Sequence, residues 1–368
     1  MGYIKDSAAN YLIIKNLRAI YDKAGDTGTF QNAVLKALAK KKSKESYRLL
    51  KQYLLQDPPV FSNRYEYASF FNDVKDSLQL TKQLFPEILQ LSSISDYKDD
   101  IISLLVTLVD SNKITAKEYE NFYSNIYFDA KLELKKQQGR DEKRSERDDK
   151  ETDATFQQGN FQPSRIGLNQ YAVLLMPFYD KPQVRSFFEK LIQSKDQSLQ
   201  LNTAVLFLRK KKPFADTILL NLAAKDEFRG RLYRSLEKAK LLNKFPQQYK
   251  TQELIAKSVL ANNKMDSIVY LSKKPVSFRN KTGVVYFYKY RIKKDDSWKI
   301  GISGIQPLNS NEISTENRLV KLTDKKIRED EPLQDQLELQ LKRLMISQSK
   351  SGRNFYATNN FGFRREDF

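Results

Sequence analysis

Neither cysteine nor histidine occurs anywhere in the 368 residues of this chain. Without cysteine there is no disulfide, no thiolate nucleophile and no Zn–S site, a state that suits cytoplasm and periplasm equally. Without histidine the commonest general base near neutral pH and the commonest metal ligand are lost together, so Ser-His-Asp, Cys-His and HExxH chemistry is excluded. Catalysis would have to run on carboxylates, Lys, Tyr or Ser-Lys pairs, and the 45 acidic residues allow too many pairings for a catalytic couple to be placed. Walker loops, dinucleotide fingerprints, EF-hand loops and helical metal-ligand pairs are missing as well. The expectation is a protein that is not an enzyme and takes no cofactor or metal.

Long apolar runs are also lacking. A membrane span needs about 18 to 20 apolar residues, and the longest stretches, such as 101–109, are interrupted by Ser103 and Thr107. The start, Met1-Gly2-Tyr3, passes almost at once into an amphipathic segment at 8–21 without the charge, apolar centre and cleavage site of a signal peptide, which leaves the compartment open.

Enough apolar material is present for packed structure, with 40% hydrophobic and 12% aromatic residues. The length suggests two or three domains, or a repeat array whose core grows by stacking. A formal charge of +19 favours polyanionic partners. Because 45 acidic residues are interspersed with 64 basic ones, a solvated lysine-rich surface explains the same balance.

Residues 1–136 read as a helical repeat region, with helices expected at 8–21, 30–41, 44–56, 65–80, 86–91, 97–110 and 116–131. Ser43 caps the third, and Thr115 with Glu118 forms a capping box for the last. The run KKQQGRDEKRSERDDKETD, at 135–153, offers no side chain to a core. It makes 137–160 a charged linker or loop, or else a solvated extension of the preceding helix.

From 161 to 263 the helical pattern resumes, with pairs at 183–193 and 198–209, at 214–224 and 227–241, and a last helix at 251–260. Pro182, Pro213 and Pro246 punctuate it at spacings of 31 and 33 residues, as helix-starting prolines of a repeat. Such helices have one broad apolar stripe each, and they bury it by stacking. The stretch LNTAVLFLRKKKPFADTILLNLAAKDEFRGRLYRSLEKA, at 201–239, resembles the HEAT-like or armadillo-like α-solenoid class. The resemblance implies a concave binding surface on a scaffold without catalysis.

After Met265 the period changes to two, and 264–368 reads as a small C-terminal α+β module with an antiparallel sheet. Strands are expected at 267–271, 283–293 and 297–303, with turns at Asn280–Gly283 and Lys293–Asp296. In the middle strand Val284, Tyr286, Tyr288 and Tyr290 share one face, and Val285, Phe287, Lys289 and Arg291 the other. A helix at 332–348 is expected to cover the tyrosine face. Helical repeats ending in VVYFYKYRIKKDDSWKIGISGIQP, at 284–307, are similar to the C-terminal region of very large bacterial proteins with a TraB/GumN-type domain upstream. That likeness implies an accessory region of a bacterial protein, in cytoplasm, periplasm or cell envelope, and brings no activity with it.

The candidate binding residues are the basic runs Lys40, Lys41, Lys42 and Arg209, Lys210, Lys211, Lys212, together with Lys289, Arg291, Lys293 and Trp298 beside the tyrosines. Basic runs at helix ends also have a structural account, since cations there face the exposed carbonyls. The function expected is a non-catalytic scaffold that offers a solenoid surface to a protein or peptide partner. The alternative is a polyanion binder with a basic groove for nucleic acid.

Overall fold

The computed structural model describes residues 29–56, 64–148, 166–261, 265–294, 296–315 and 319–350. It is mainly helical, with a four-stranded antiparallel sheet near the C-terminal end. The chain divides into two compact units, 1–203 and 204–368, with the division inside the helix Gln197–Arg209.

In the first unit the apolar stripes resolve into helices α1 (Thr29–Lys41), α2 (Lys44–Gln56), α3 (Arg64–Lys75), α4 (Ser95–Asp110), α5 (Tyr123–Asp148), α6 (Leu168–Leu175) and α7 (Pro182–Ile192). The expected helix at 8–21 lies outside the described residues. Ser43 caps α2 as expected, its hydroxyl accepting from the Ser46 amide at 3.0 Å. The expected 65–80 helix breaks after Lys75, and a single turn at Leu78–Thr81 follows. There the Thr81 hydroxyl (2.6 Å) and the Tyr47 hydroxyl (3.1 Å) both donate to the Val74 carbonyl at the end of α3.

The expected capping box joins Thr115 and Glu118, whose carboxylate accepts from the amide (2.8 Å) and hydroxyl (2.9 Å) of Thr115. What it starts is the tight 3-10 stretch Ala116–Phe122, and α5 begins only at Tyr123. Of the two readings of the charged run after 135, helix extension holds as far as Asp148.

The second unit contains the end of α8 (Gln197–Arg209), then α9 (Thr217–Ala224), α10 (Asp226–Lys238) and α11 (Gln252–Leu260), strands β1 (Ser267–Phe278), β2 (Lys281–Arg291), β3 (Lys299–Gln306) and β4 (Leu319–Lys326), and α12 (Leu333–Lys350). The prolines expected to punctuate repeats have three different settings. Pro182 opens α7, Pro213 lies in the extended stretch before α9, and Pro246 precedes the 3-10 turn Gln247–Tyr249.

With only 12 glycines in the chain, several helix ends use other residues in the left-handed conformation. Lys211 (φ 54°) follows α8, where the Lys212 amide reaches the Phe207 carbonyl at 2.9 Å and the Lys211 amide reaches that of Leu208 at 3.2 Å. Lys240 (φ 59°) repeats this pair after α10, and Asn112 (φ 54°) after α4. These are Schellman closures that glycine normally supplies.

The strands pair in sequence order, β1-β2-β3-β4. The β1–β2 turn is Arg279-Asn280, both at positive φ (45° and 62°), the geometry of a two-residue hairpin, and it shares only Asn280 with the expected Asn280–Gly283. Gly283 belongs to β2 because a Cβ there would stand 2.1 Å from the Gln306 carbonyl oxygen. β1 runs on through Pro275, which an edge strand tolerates. β4 is an unexpected fourth strand.

Both faces of the sheet are covered, and the expected pairing of helix with face is reversed. The tyrosine face, Tyr286, Tyr288 and Tyr290, packs with Ala256 and Leu260 of α11. α12 sets Leu337, Leu341 and Leu344 against Val285, Phe287, Ile300 and Ile302 on the other face. The reason is polar satisfaction. Tyr286 donates to Gln252 Oε1 (2.9 Å), Tyr288 to the Glu253 carbonyl at the start of α11 (2.6 Å), and Tyr290 to the Thr323 carbonyl (2.8 Å). Two of these acceptors come from the start of α11 and the third from β4.

Candidate functional site

The sequence candidates fall at three places. Lys40 and Lys41 end α1, and Lys42 pairs with Asp76 at 3.2 Å. Arg209 to Lys212 form the α8 terminus and its Schellman closure. Both runs therefore sit at helix C-termini, where positive charge lies against free carbonyls. The two runs belong to different units.

Lys289, Arg291 and Trp298 come together. They share the sheet face covered by α12 and lie toward one end of it, with Lys289 opposite Ile300 and Arg291 further along β2. The Lys289 ammonium stands 4.7 Å from the Trp298 ring centre and the Arg291 guanidinium 4.8 Å, two cations on the chain's single tryptophan. Arg291 is further fixed by Asp266 (2.7 Å) and by the Lys294 carbonyl (2.7 Å). Among the described residues no carboxylate lies within ion-pair distance of Lys289. Lys293 stands apart in the following turn, where its amide donates to Asp296 at 2.9 Å.

The tyrosines that neighbour these cations in sequence do not join them, because the strand alternation sends them under α11. Burial pushes the Tyr290 hydroxyl up to about 12, and that of Tyr288 further still. They are core residues with hydroxyls held by acceptors, and they cannot stack on a ligand.

Sequence reasoning missed the neighbours of the cluster on β1. Val269, opposite Lys289, is 41% exposed, and Tyr270, opposite Tyr288, is 36% exposed. Their residue types match those of the sheet interior, and only the strand order, which makes β1 an edge, places them at the surface.

Buried polar groups elsewhere in this unit hold backbone. Gln252 donates to the carbonyls of Pro307, Asn309 and Glu312 at 2.7 to 2.9 Å. Gln336 donates to Arg328 and Glu331, and Gln306 exchanges two bonds with Ser314. Arg229, 3% exposed, donates to the Ala223, Ala224 and Leu254 carbonyls and pairs with Asp226. Among the described residues no group of three or more acidic side chains is placed to hold a metal ion, and no helix is long and apolar enough to cross a membrane. No protein family, curated protein or solved structure matches the chain.

Proposed function

We propose that the protein is a non-catalytic binding scaffold, in which stacked helix pairs of the α-solenoid type form framework and surface, and a protein or peptide partner is recognised at the surface. The observation that carries this reading is the convergence of Lys289 and Arg291 on Trp298 toward one end of the sheet. A half-buried aromatic with two cations over it is a recognition element, and aromatic and arginine side chains are enriched where proteins bind one another.

The titrating groups agree with a binding role. Glu45, Glu118 and Glu338 are held below the usual carboxylate range, by Arg48, by the Thr115 amide and by Lys274 in turn. A carboxylate acting as general acid is held up instead. Tyr119 and Tyr288 are raised, and their shift comes first from loss of water on burial.

A second reading, polyanion binding, has the same cluster and the +19 charge in its favour. One selection separates them. A random peptide library is panned on the protein and counter-selected on a Lys289→Glu/Arg291→Glu variant, while single-stranded oligonucleotide binding is titrated against salt. Converging peptides lost on the variant support the scaffold. No converging peptide, with oligonucleotide affinity that falls steeply as salt rises, would replace it with the second reading.

A further inference from the structure

The free edge of β1 divides into two halves of different character. Its second half is blunted by Lys273, Lys274 and Pro275, the devices by which edge strands avoid pairing with other chains. The opposite edge, β4, is short and carries Lys321, Asp324, Lys325 and Lys326. The first half of β1, Ser267 to Leu271, has neither charge nor proline.

The backbone there is open in a definite register. The Asp266 amide is shared between the Arg291 and Ile292 carbonyls, each at 3.1 Å, and with Ser267 opposite Arg291 the antiparallel pairs alternate from Asp266 and Ile292. Ile268 and Tyr270 thus direct their amides and carbonyls to β2, while Ser267 and Val269 direct theirs away from the sheet. Nothing among the described residues pairs with β1 on that side. The side chains beside this edge differ by face. Toward one lie Val269 and, one strand further in, Lys289 and Arg291 with Trp298. Toward the other lies Tyr270, whose ring stands 6.1 Å from that of Tyr288.

We infer that the first half of β1 accepts an extended acidic segment of a partner protein as a fifth strand, with acidic side chains directed to Lys289 and Arg291 and apolar ones to Tyr270. The inference rests on the scaffold reading and gives the partner its chemistry. Main-chain hydrogen bonds to Ser267 and Val269 supply affinity, and the two faces select the side chains. An added strand would lie roughly 10 Å from β2, two strand spacings, which a lysine and a glutamate reaching toward each other span. The charge sign follows from Lys289, which has no carboxylate of its own among the described residues.

The test uses a capped peptide of alternating glutamate and valine, a lysine–valine control and an oligothymidylate, with the full chain. Trp298 is the only tryptophan, so its emission reports binding at this place alone. The glutamate–valine peptide is expected to shift that emission, more weakly at high salt, and to slow amide exchange at Ser267 and Val269 several-fold. Val269→Pro removes one outward amide without touching the ladder and should abolish both effects with the circular dichroism unchanged. Lys289→Gln should weaken binding several-fold. Unaltered exchange on β1, or undiminished binding by Val269→Pro, would overturn strand addition, as would binding of the oligothymidylate alone. If the panned peptides bind without protecting β1, strand addition fails and the scaffold reading stands; if no peptide is selected at all, both fail.

Discussion

Gln252 is the side chain on which the second unit's irregular loop depends most heavily, and Gln252→Leu removes its amide at nearly constant volume. The residue is 4% exposed, its Nε2 serves the carbonyls of Pro307, Asn309 and Glu312, and its Oε1 accepts from Tyr286. In the variant the Tyr286 hydroxyl is left buried without an acceptor, which costs about 1 to 3 kcal/mol. Two amide hydrogens no longer serve three carbonyls, but residues 308–312 are exposed and water replaces part of that loss. With about 1 kcal/mol for the part that water does not replace, the sum is about 2 to 4 kcal/mol, at the upper end of ordinary single substitutions. Urea unfolding followed by Trp298 emission reads it as a midpoint lowered by about 1 to 2 M. A double-mutant cycle with Tyr286→Phe should give a coupling of about 1 kcal/mol between the two groups. A loss below about 1 kcal/mol for Gln252→Leu would refute the clamp.

Other outcomes follow from single contacts. Lys211→Gly and Lys240→Gly relieve left-handed backbone at two exposed helix ends and should each stabilise by about 0.5 to 1 kcal/mol in the same urea assay. Gly283→Ala brings a Cβ against the Gln306 backbone oxygen, which cannot swing aside, and should destabilise by about 2 to 3 kcal/mol. Tyr47 and Tyr290 are held up to about 12, so the folded state keeps its protons where the unfolded chain loses them. Their contribution is complete below pH 10 and falls by about 1.4 kcal/mol per group for each pH unit from there to about 12. Tyrosinate absorbance should therefore rise for these residues together with unfolding and not before it.

The sequence made α2 and the turn at Lys293–Asp296 legible because one apolar stripe and one cap, or one acidic side chain over its own backbone, decide each locally. It failed where a distant element decides. The tyrosine face of β2 and the leucine stripe of α12 look complementary by hydropathy, and the acceptors that α11 offers to the Tyr286 and Tyr288 hydroxyls are not visible in it. Gly283 reads as a turn residue until β3 is known to approach it. The evenly spaced prolines carry no information on whether a helix, an extended stretch or a single turn follows. For the site, Lys289, Arg291 and Trp298 were all recognisable by residue type. Their union on one face depends on the β2–β3 register, and the role of Val269 depends on strand order.

The most direct measurement of the recognition cluster is quenching of the single tryptophan by iodide and by caesium at low ionic strength. With Lys289 and Arg291 over its ring, Trp298 should be quenched several-fold more efficiently by the anion, and Lys289→Gln/Arg291→Gln should bring the two quenchers together. Equal quenching of the unaltered protein, or a preference for caesium, would contradict the account.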